Sequence, residues 1–249
     1  MHRKTWYWLF KNVLIGPFLR IWNRPKTAGL DNVPATGGAI AVSNHLSVFD
    51  SFYLPLLVTR RITFLAKKEY FTSPGLIGRF QAWFFTVLGQ VPVDRNDPDA
   101  AQLAIEAATR LVNDGEIVAI YPEGTRSPDG RLYKGKTGAA RVAIATGAPL
   151  VPVAMFGTRK ANPVGSWILR PVTVGMTIGE PIDPVQFLHG EGLPVDPDSY
   201  ESARALTDEC SRRLAAISGQ EFVDAYAADV KKSLAAGNGY PPGTEPRHS

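Results

Sequence analysis

His45 and Asp50 carry the clearest chemical potential in this chain, in the run Ser43-Asn44-His45-Leu46-Ser47-Val48-Phe49-Asp50. An imidazole can take a proton from a hydroxyl near neutral pH, and a carboxylate on its other nitrogen fixes the tautomer and stabilises the imidazolium. Of the 4 histidines, His2 and His248 stand at the chain ends and His189 sits in an acidic stretch beside Gly190. Only His45 follows an apolar, strand-like run, so an imidazole base, if one is used, is His45. In a continuous helix the offset to Asp50 would send the two side chains to diverging faces. With His45 in a strand-to-helix turn, a carboxylate in the first helical turn can reach back to the ring. By spacing alone, His45 reads equally well as a strand-end structural residue.

Other segments share its placement. Gly89-Gln90-Val91-Pro92-Val93-Asp94-Arg95 ends an apolar run in an acid–arginine pair. Ile120-Tyr121-Pro122-Glu123-Gly124-Thr125-Arg126-Ser127 ends another in a glycine-containing turn. Val151-Pro152-Val153-Ala154 is a buried-strand pattern entered through Pro149. Polar groups just past the carboxyl ends of apolar strands are where open α/β sheets bind ligands. Arg95 and Arg126 each offer a planar fork of donors suited to a phosphate. Lys67, Lys68, Arg131, Lys134, Lys136 and Arg141 extend the positive neighbourhood, although some of them read as ordinary solvated cations.

These segments need a scaffold that brings strand ends together. Short apolar runs at 38–43, 61–66, 90–93, 116–121 and 150–155 predict strands, separated by helical stretches. Asp97-Pro98 predicts a helix start, with Asp as N-cap and Pro at the first position, running to a stop near Gly115. The alternation predicts an α/β fold with a largely parallel central sheet flanked by helices. Helices are expected over 200–217 and 220–234. The implied divisions are an N-terminal amphipathic segment (1–28), a catalytic domain (29–185), a C-terminal helical extension (186–234) and a disordered tail (235–249).

The charge is unevenly spread. Net charge is +4, and Arg3, Lys4, Lys11, Arg20, Arg24 and Lys26 precede the first carboxylate, Asp31. Trp6, Phe10, Val13, Leu14, Pro17 and Ile21 share one helical face, with Gly16 and Pro17 expected to kink the helix. Cations beside Trp6, Trp8 and Trp22 read as a membrane-surface element better than as a nucleic-acid arm, a core helix being the plainer alternative. Lys11, Pro17 and Arg20 interrupt the run from Thr5 to Trp22, so no spanning helix or signal peptide is expected. Cys210 is the single cysteine, which excludes an intrachain disulfide and a cysteine zinc site.

Taken in order, these segments resemble the four motif blocks of the glycerolipid acyltransferase superfamily, and specifically its PlsC-type 1-acylglycerol-3-phosphate acyltransferases. Asn44 to Asp50 resembles the NHxSxxD block and Val91 to Arg95 the arginine-bearing second block. Tyr121 to Ser127 is similar to the FPEGTRS block, with Tyr121 in the usual Phe place, and Val151 to Ala154 to the proline-containing fourth. The resemblance covers about residues 30 to 185. It implies transfer of an acyl group from an acyl-CoA or acyl carrier protein thioester to the free hydroxyl of lysophosphatidate, giving phosphatidate. His45 would be the general base, oriented by Asp50. Arg95, Glu123, Gly124, Thr125 and Arg126 would match acceptor-binding positions, and Asn44, Ser47 and Pro152 supporting ones. Glu123 beside a phosphate would need a cation or a glycerol hydroxyl as partner. No cofactor or metal is implied. The expected setting is peripheral attachment to the anionic cytoplasmic face of the cell membrane through Trp6, Phe10, Val13, Leu14 and Ile21.

Glycerol 3-phosphate or another lysophospholipid remains an alternative acceptor. A hydrolase using Ser47 lacks the Gly-x-Ser-x-Gly setting, and a non-catalytic lipid carrier would not require both His45 and Asp50. The apolar stretch 77–93, with Phe80, Trp83, Phe84, Phe85, Val87 and Leu88, could line an acyl tunnel, dip into the bilayer or form a buried helix.

Overall fold

The computed structural model describes residues 2–93, 99–166 and 168–247. The chain enters as α1 (His2–Leu9), widens into a π turn at Phe10–Leu14 and continues as α2 (Ile15–Asn23). The widening has a local cause. Pro17 has no N–H for the helical ladder, and a Cβ on Gly16 would stand 1.7 Å from the Lys11 carbonyl oxygen. The Ile15 N–H therefore reaches back to Phe10 O, immediately before the expected break.

Next come β1 (Lys26–Ala28), β2 (Ala39–Ser43), α3 (Asp50–Leu57), β3 (Ile62–Lys67), α4 (Glu69–Thr72), α5 (Gly75–Val87) and β4 (Val91–Val93). Then follow α6 (Ala100–Asn113), β5 (Ile117–Ile120), β6 (Leu132–Tyr133), α7 (Gly138–Thr146), β7 (Leu150–Phe156) and α8 (Thr158–Ala161). The last part holds β8 (Gly175–Ile178), α9 (Pro184–Gly190), α10 (Tyr200–Ser218), β9 (Phe222–Val223) and α11 (Ala227–Ala235).

The main sheet has 7 strands in the order β1-β8-β7-β2-β5-β3-β4. Its pairings are parallel except β7 with β8, as in Val153 opposite Ile178. The expected strands are β2, β3, β4, β5 and β7. Every residue of β2 is buried because both sheet faces are covered. Ala39, Ala41, Ile117, Ala119, Val151 and Val153 meet Leu19 of α2 and Tyr53 and Leu54 of α3. On the other face Ile40, Val42, Val118 and Leu150 meet Ala108, Ala140, Leu206 and Cys210. Burial of each large aliphatic side chain is worth roughly 1.5–3 kcal/mol.

Several expectations need correction. The helix start at Asp97-Pro98 lies outside the described residues, where α6 is seen from Ala100 onward. Asp183 caps α9 by accepting from the Val185 and Gln186 N–H groups at 2.9 Å each, with Pro184 behind it. That Asp-Pro signature was readable in the sequence. Within the expected C-terminal helical extension (186–234), Leu206 and Cys210 of α10 belong to the main core. The helix expected over 220–234 is instead β9 followed by α11. Gly219 turns left-handed to end α10, and Leu132 and Tyr133 recruit Phe222 and Val223 into a small parallel pair. The tail is also placed: Arg131 Nη2 donates to Thr244 O at 2.6 Å, and Tyr240 packs on the Tyr133–Val230 cluster.

The N-terminal helices turn three polar side chains toward the end of α3. Tyr7 donates to Pro55 O at 3.4 Å, Lys11 to Val58 O, and Arg20 to Leu56 O at 3.4 Å, together serving carbonyls at the end of α3. Leu19 and Asn23 are buried, and Asn23 accepts from Tyr53 Oη at 2.5 Å. Trp8, Val13, Leu14, Phe18, Ile21 and Trp22 stay exposed, Ile21 to 78%. Trp6 and Phe10 instead meet α5, with Trp6 edge-on to Trp83 at 5.3 Å and Phe10 to Phe84 at 5.5 Å. α5 is no buried helix: Leu76, Phe80 and Ile77, the last 85% accessible, remain exposed. No helix among the described residues is long and apolar enough to cross a membrane.

Candidate active site

Parallel pairing aligns the carboxyl ends of β7, β2, β5, β3 and β4 along one edge of the sheet. His45 follows β2 and the Glu123–Ser127 turn follows β5. The loop and the turn are tied through their backbones, with Ser127 N–H donating to His45 O at 2.7 Å.

Asp50 opens α3 and is fully buried, and its Oδ2 lies 3.0 Å from His45 Nδ1. The same oxygen accepts the Leu46 and Ser47 N–H groups at 2.7 and 2.8 Å. His45 therefore sits in the non-helical turn that its offset from Asp50 required. With Asp50 ionised, Nδ1 carries the proton and Nε2 is left as the basic nitrogen. The His45 side chain is 16% exposed, enough to meet a substrate from one side.

The ring is also fixed by stacking. Tyr121 lies parallel to it at 3.8 Å between centroids, inclined by 11°, and rests on Phe64 at 5.8 Å. A tyrosine here needs a partner for its hydroxyl, and Ser51 Oγ supplies one at 2.9 Å. Burial, followed by the neighbouring Asp50 charge, holds the Tyr121 hydroxyl well above the usual phenol range. Ser51 carried no signal in the sequence, because its role exists only beside Tyr121.

Glu123 is turned into the protein. It is 1% exposed, and its oxygens accept the backbone N–H groups of His45 and Tyr133 at 3.2 Å each. Burial, with Asp50 repulsion adding to it, raises its pKa to about 8. Glu123 thus braces the His45 loop, with backbone N–H groups as its partners. Gly124 turns at a φ of +70°, which a side chain would resist. Thr125 and Arg126 are half-buried beside it. Arg126 makes no hydrogen bond or ion pair with another described residue.

Asn44 joins β2 to β7 by exchanging hydrogen bonds with Met155, accepting from its N–H at 2.7 Å and donating to its carbonyl at 3.1 Å. Ser47 Oγ donates to Asn162 Oδ1 at 3.2 Å and is buried, which leaves it a structural group rather than a nucleophile. Pro152 lies inside β7, opposite Val42, and not at the strand-end site. Its missing N–H is tolerated where β8 gives way at Gly179 before the Leu150–Ile182 bridge.

The basic patch separates. Lys136 folds over Gly124, its Nζ within 3.6 Å of where a Cβ would stand. Lys134 pairs with Asp224 at 2.8 Å and Arg131 with Asp129 at 2.7 Å, so both are neutralised. Arg141 points to Pro197 O and Asp198, away from the strand-end edge. Lys68 follows the end of β3. Arg95 and the Lys67 side chain lie outside what is described. A cation not expected from the sequence, Arg159, follows β7 and donates to Ser127 O at 2.9 Å and Pro128 O at 2.6 Å. The strand-end rule that selected the other turns would have found it. Among the described residues no group of His, Cys, Asp and Glu side chains could hold a metal ion.

The His45 imidazole, backed by the buried Asp50 carboxylate, therefore lies at the carboxyl edge of a parallel sheet, in a loop tied to the turn that carries Arg126. The chain belongs to the acyltransferase family, whose model matches residues 24–156. It is 37% identical over 176 residues to a chloroplastic 1-acyl-sn-glycerol-3-phosphate acyltransferase of Arabidopsis thaliana, covering 70% of this chain and 47% of the relative. It thus spans about half the length of that plant protein. A 1-acyl-sn-glycerol-3-phosphate acyltransferase of Bacillus subtilis is 30% identical over 190 residues, covering 76% of this chain and 85% of its own. The solved PlsC of Thermotoga maritima, a 1-acyl-sn-glycerophosphate acyltransferase, superposes with a TM-score of 0.56 at 27% identity, over 82% of this chain and 79% of that one.

Proposed function

We propose that this protein transfers a fatty acyl group from acyl-CoA to the free hydroxyl of 1-acylglycerol 3-phosphate, forming phosphatidate. The observation that carries the reading is the His45–Asp50 pair, held at the strand-end edge beside Arg126. His45 Nε2 takes the acceptor hydroxyl proton as the oxygen attacks the thioester carbonyl. A C–O bond forms and the C–S bond breaks, and the departing thiolate recovers the proton from the imidazolium. Asp50 stabilises that imidazolium and keeps the tautomer correct. Arg126 binds the acceptor phosphate, with Arg95 as its proposed companion. The names of the relatives support the choice of acceptor.

The reaction takes place at a membrane surface in this reading. α1, α2 and α5 turn exposed apolar side chains outward, while Tyr7, Lys11 and Arg20 of the N-terminal helices bond the end of α3. That arrangement suits a face resting in the headgroup region of an anionic cytoplasmic leaflet. The test is net transfer from radiolabelled acyl-CoA to lysophosphatidate, compared with glycerol 3-phosphate and other lysophospholipids. Phosphatidate formed by the wild type and lost in His45→Ala is the expected result. Free fatty acid alone, or no turnover with any acceptor, would reject it.

A further inference from the structure

Beyond residue 156, where the family match ends, the chain returns to the site. β9 pairs with β6, while Ala227 and Val230 of α11 bury themselves against Tyr133 and Val223. Gln220, just before β9, accepts from Asn44 Nδ2 at 2.7 Å and donates to Gly130 O at 2.5 Å. This packing sets α11 over the Glu123–Ser127 turn and delivers one cation to it: Lys231 Nζ donates to Thr125 Oγ1 at 2.8 Å.

The charges around Lys231 are unbalanced. Among the described residues, the charges that act on it are those of Arg126, Arg159 and the carboxylate of Glu123. Glu123 directs both oxygens to backbone N–H groups instead. Neither Arg126 nor Lys231 forms an ion pair with another described residue. Desolvation, then the Arg126 charge, lowers the Lys231 pKa, with Arg159 adding to this and Glu123 opposing it. A fold that only needed α11 fastened down would gain nothing from placing an ammonium among like charges. An ammonium has three donors, and Thr125 uses one.

Resting on the acceptor assigned under Proposed function, we propose that Lys231 is a phosphate-binding residue for the acceptor, acting with Arg126 and orienting the Thr125 hydroxyl toward the same group. The C-terminal segment then completes the acceptor site, supplying a cation from outside the four motif blocks.

The test uses the full chain with Lys231→Met, Lys231→Gln and Lys231→Arg. Each is titrated calorimetrically with a soluble short-chain lysophosphatidate and with the matching phosphate-free monoacylglycerol. Lys231→Gln keeps a polar side chain beside Thr125 and loses the charge, so it separates binding from packing even if Lys231→Met folds poorly. Lys231→Gln should weaken lysophosphatidate binding about tenfold or more and leave monoacylglycerol binding unchanged. Lys231→Arg should stay within about threefold of wild type. Equal losses for both ligands, wild-type affinity in Lys231→Gln, or a wild type indifferent to the phosphate would each overturn the proposal. A wild type that prefers lysophosphatidate yet transfers no acyl group would defeat the proposed reaction, and the titrations would still decide the role of Lys231.

Discussion

Asp50 Oδ2 meets His45 Nδ1 at 3.0 Å across an offset of 5 residues, and the same oxygen holds the Leu46 and Ser47 N–H groups. One carboxylate therefore shapes the turn and aligns the base within it. Removing it should have two separable consequences, one on stability and one on turnover.

His45→Ala is expected to lower turnover by on the order of a hundredfold to ten-thousandfold, with the fold intact. Asp50→Asn should impair turnover less, because the amide can still accept from the turn but cannot stabilise an imidazolium. Asp50→Ala should also lower the melting temperature, since it orphans the Leu46 and Ser47 N–H groups at roughly 1–3 kcal/mol per group. Near-normal turnover in His45→Ala, measured under single-turnover conditions, would end the mechanism.

Tyr121 replaces the Phe usual at its motif position, and Ser51 accommodates the extra hydroxyl. Tyr121→Phe should cost about 1 kcal/mol or less and barely change turnover, because the ring stacked on His45 remains. Ser51→Ala combined with Tyr121→Phe should recover part of that loss. Tyr121→Ala should instead reduce turnover about tenfold or more through the released imidazole. Comparable activity in the Phe and Ala variants would show that the stack does not position His45.

Glu123 has its pKa raised to about 8 by burial. A carboxyl that binds its proton more tightly when folded than when unfolded makes the native state lose stability as pH rises between the two values. The wild-type melting temperature should therefore fall between about pH 5 and pH 8 through this group. Glu123→Gln, which cannot titrate, should flatten the decline, although it exchanges one accepted backbone hydrogen bond for a poor contact. Parallel pH profiles for the two proteins would show that Glu123 is ionised throughout.

The N-terminal face can be tested without truncation, which would remove Leu19 and Asn23 from the core. Ile21→Asp and Ile77→Asp alter exposed side chains and should change the unfolding free energy by no more than roughly 0.5 kcal/mol. Both should weaken sedimentation with anionic vesicles. High salt should release the wild type only in part, because apolar contact persists when charge is screened. Unchanged vesicle binding in the double variant would place the membrane contact elsewhere.

The sequence by itself determined whatever rests on local spacing. His45 and Asp50 are close along the chain, so a strand, a turn and a helix start were enough to unite them. The unbroken apolar runs likewise required a sheet covered on both faces. The family resemblance set Glu123 among the acceptor-binding positions, and only the fold shows its oxygens accepting from the His45 and Tyr133 backbone. The N-terminal wheel identified an apolar stripe but not that Trp6 and Phe10 would be drawn against α5 while Ile21 stayed exposed. Lys231 was invisible, since 106 residues separate it from Thr125. Its position depends on β9 pairing with β6 and on two small apolar residues of α11 finding Tyr133. Contacts of that range are selected by how well the whole core packs, and periodicity along the chain does not record them.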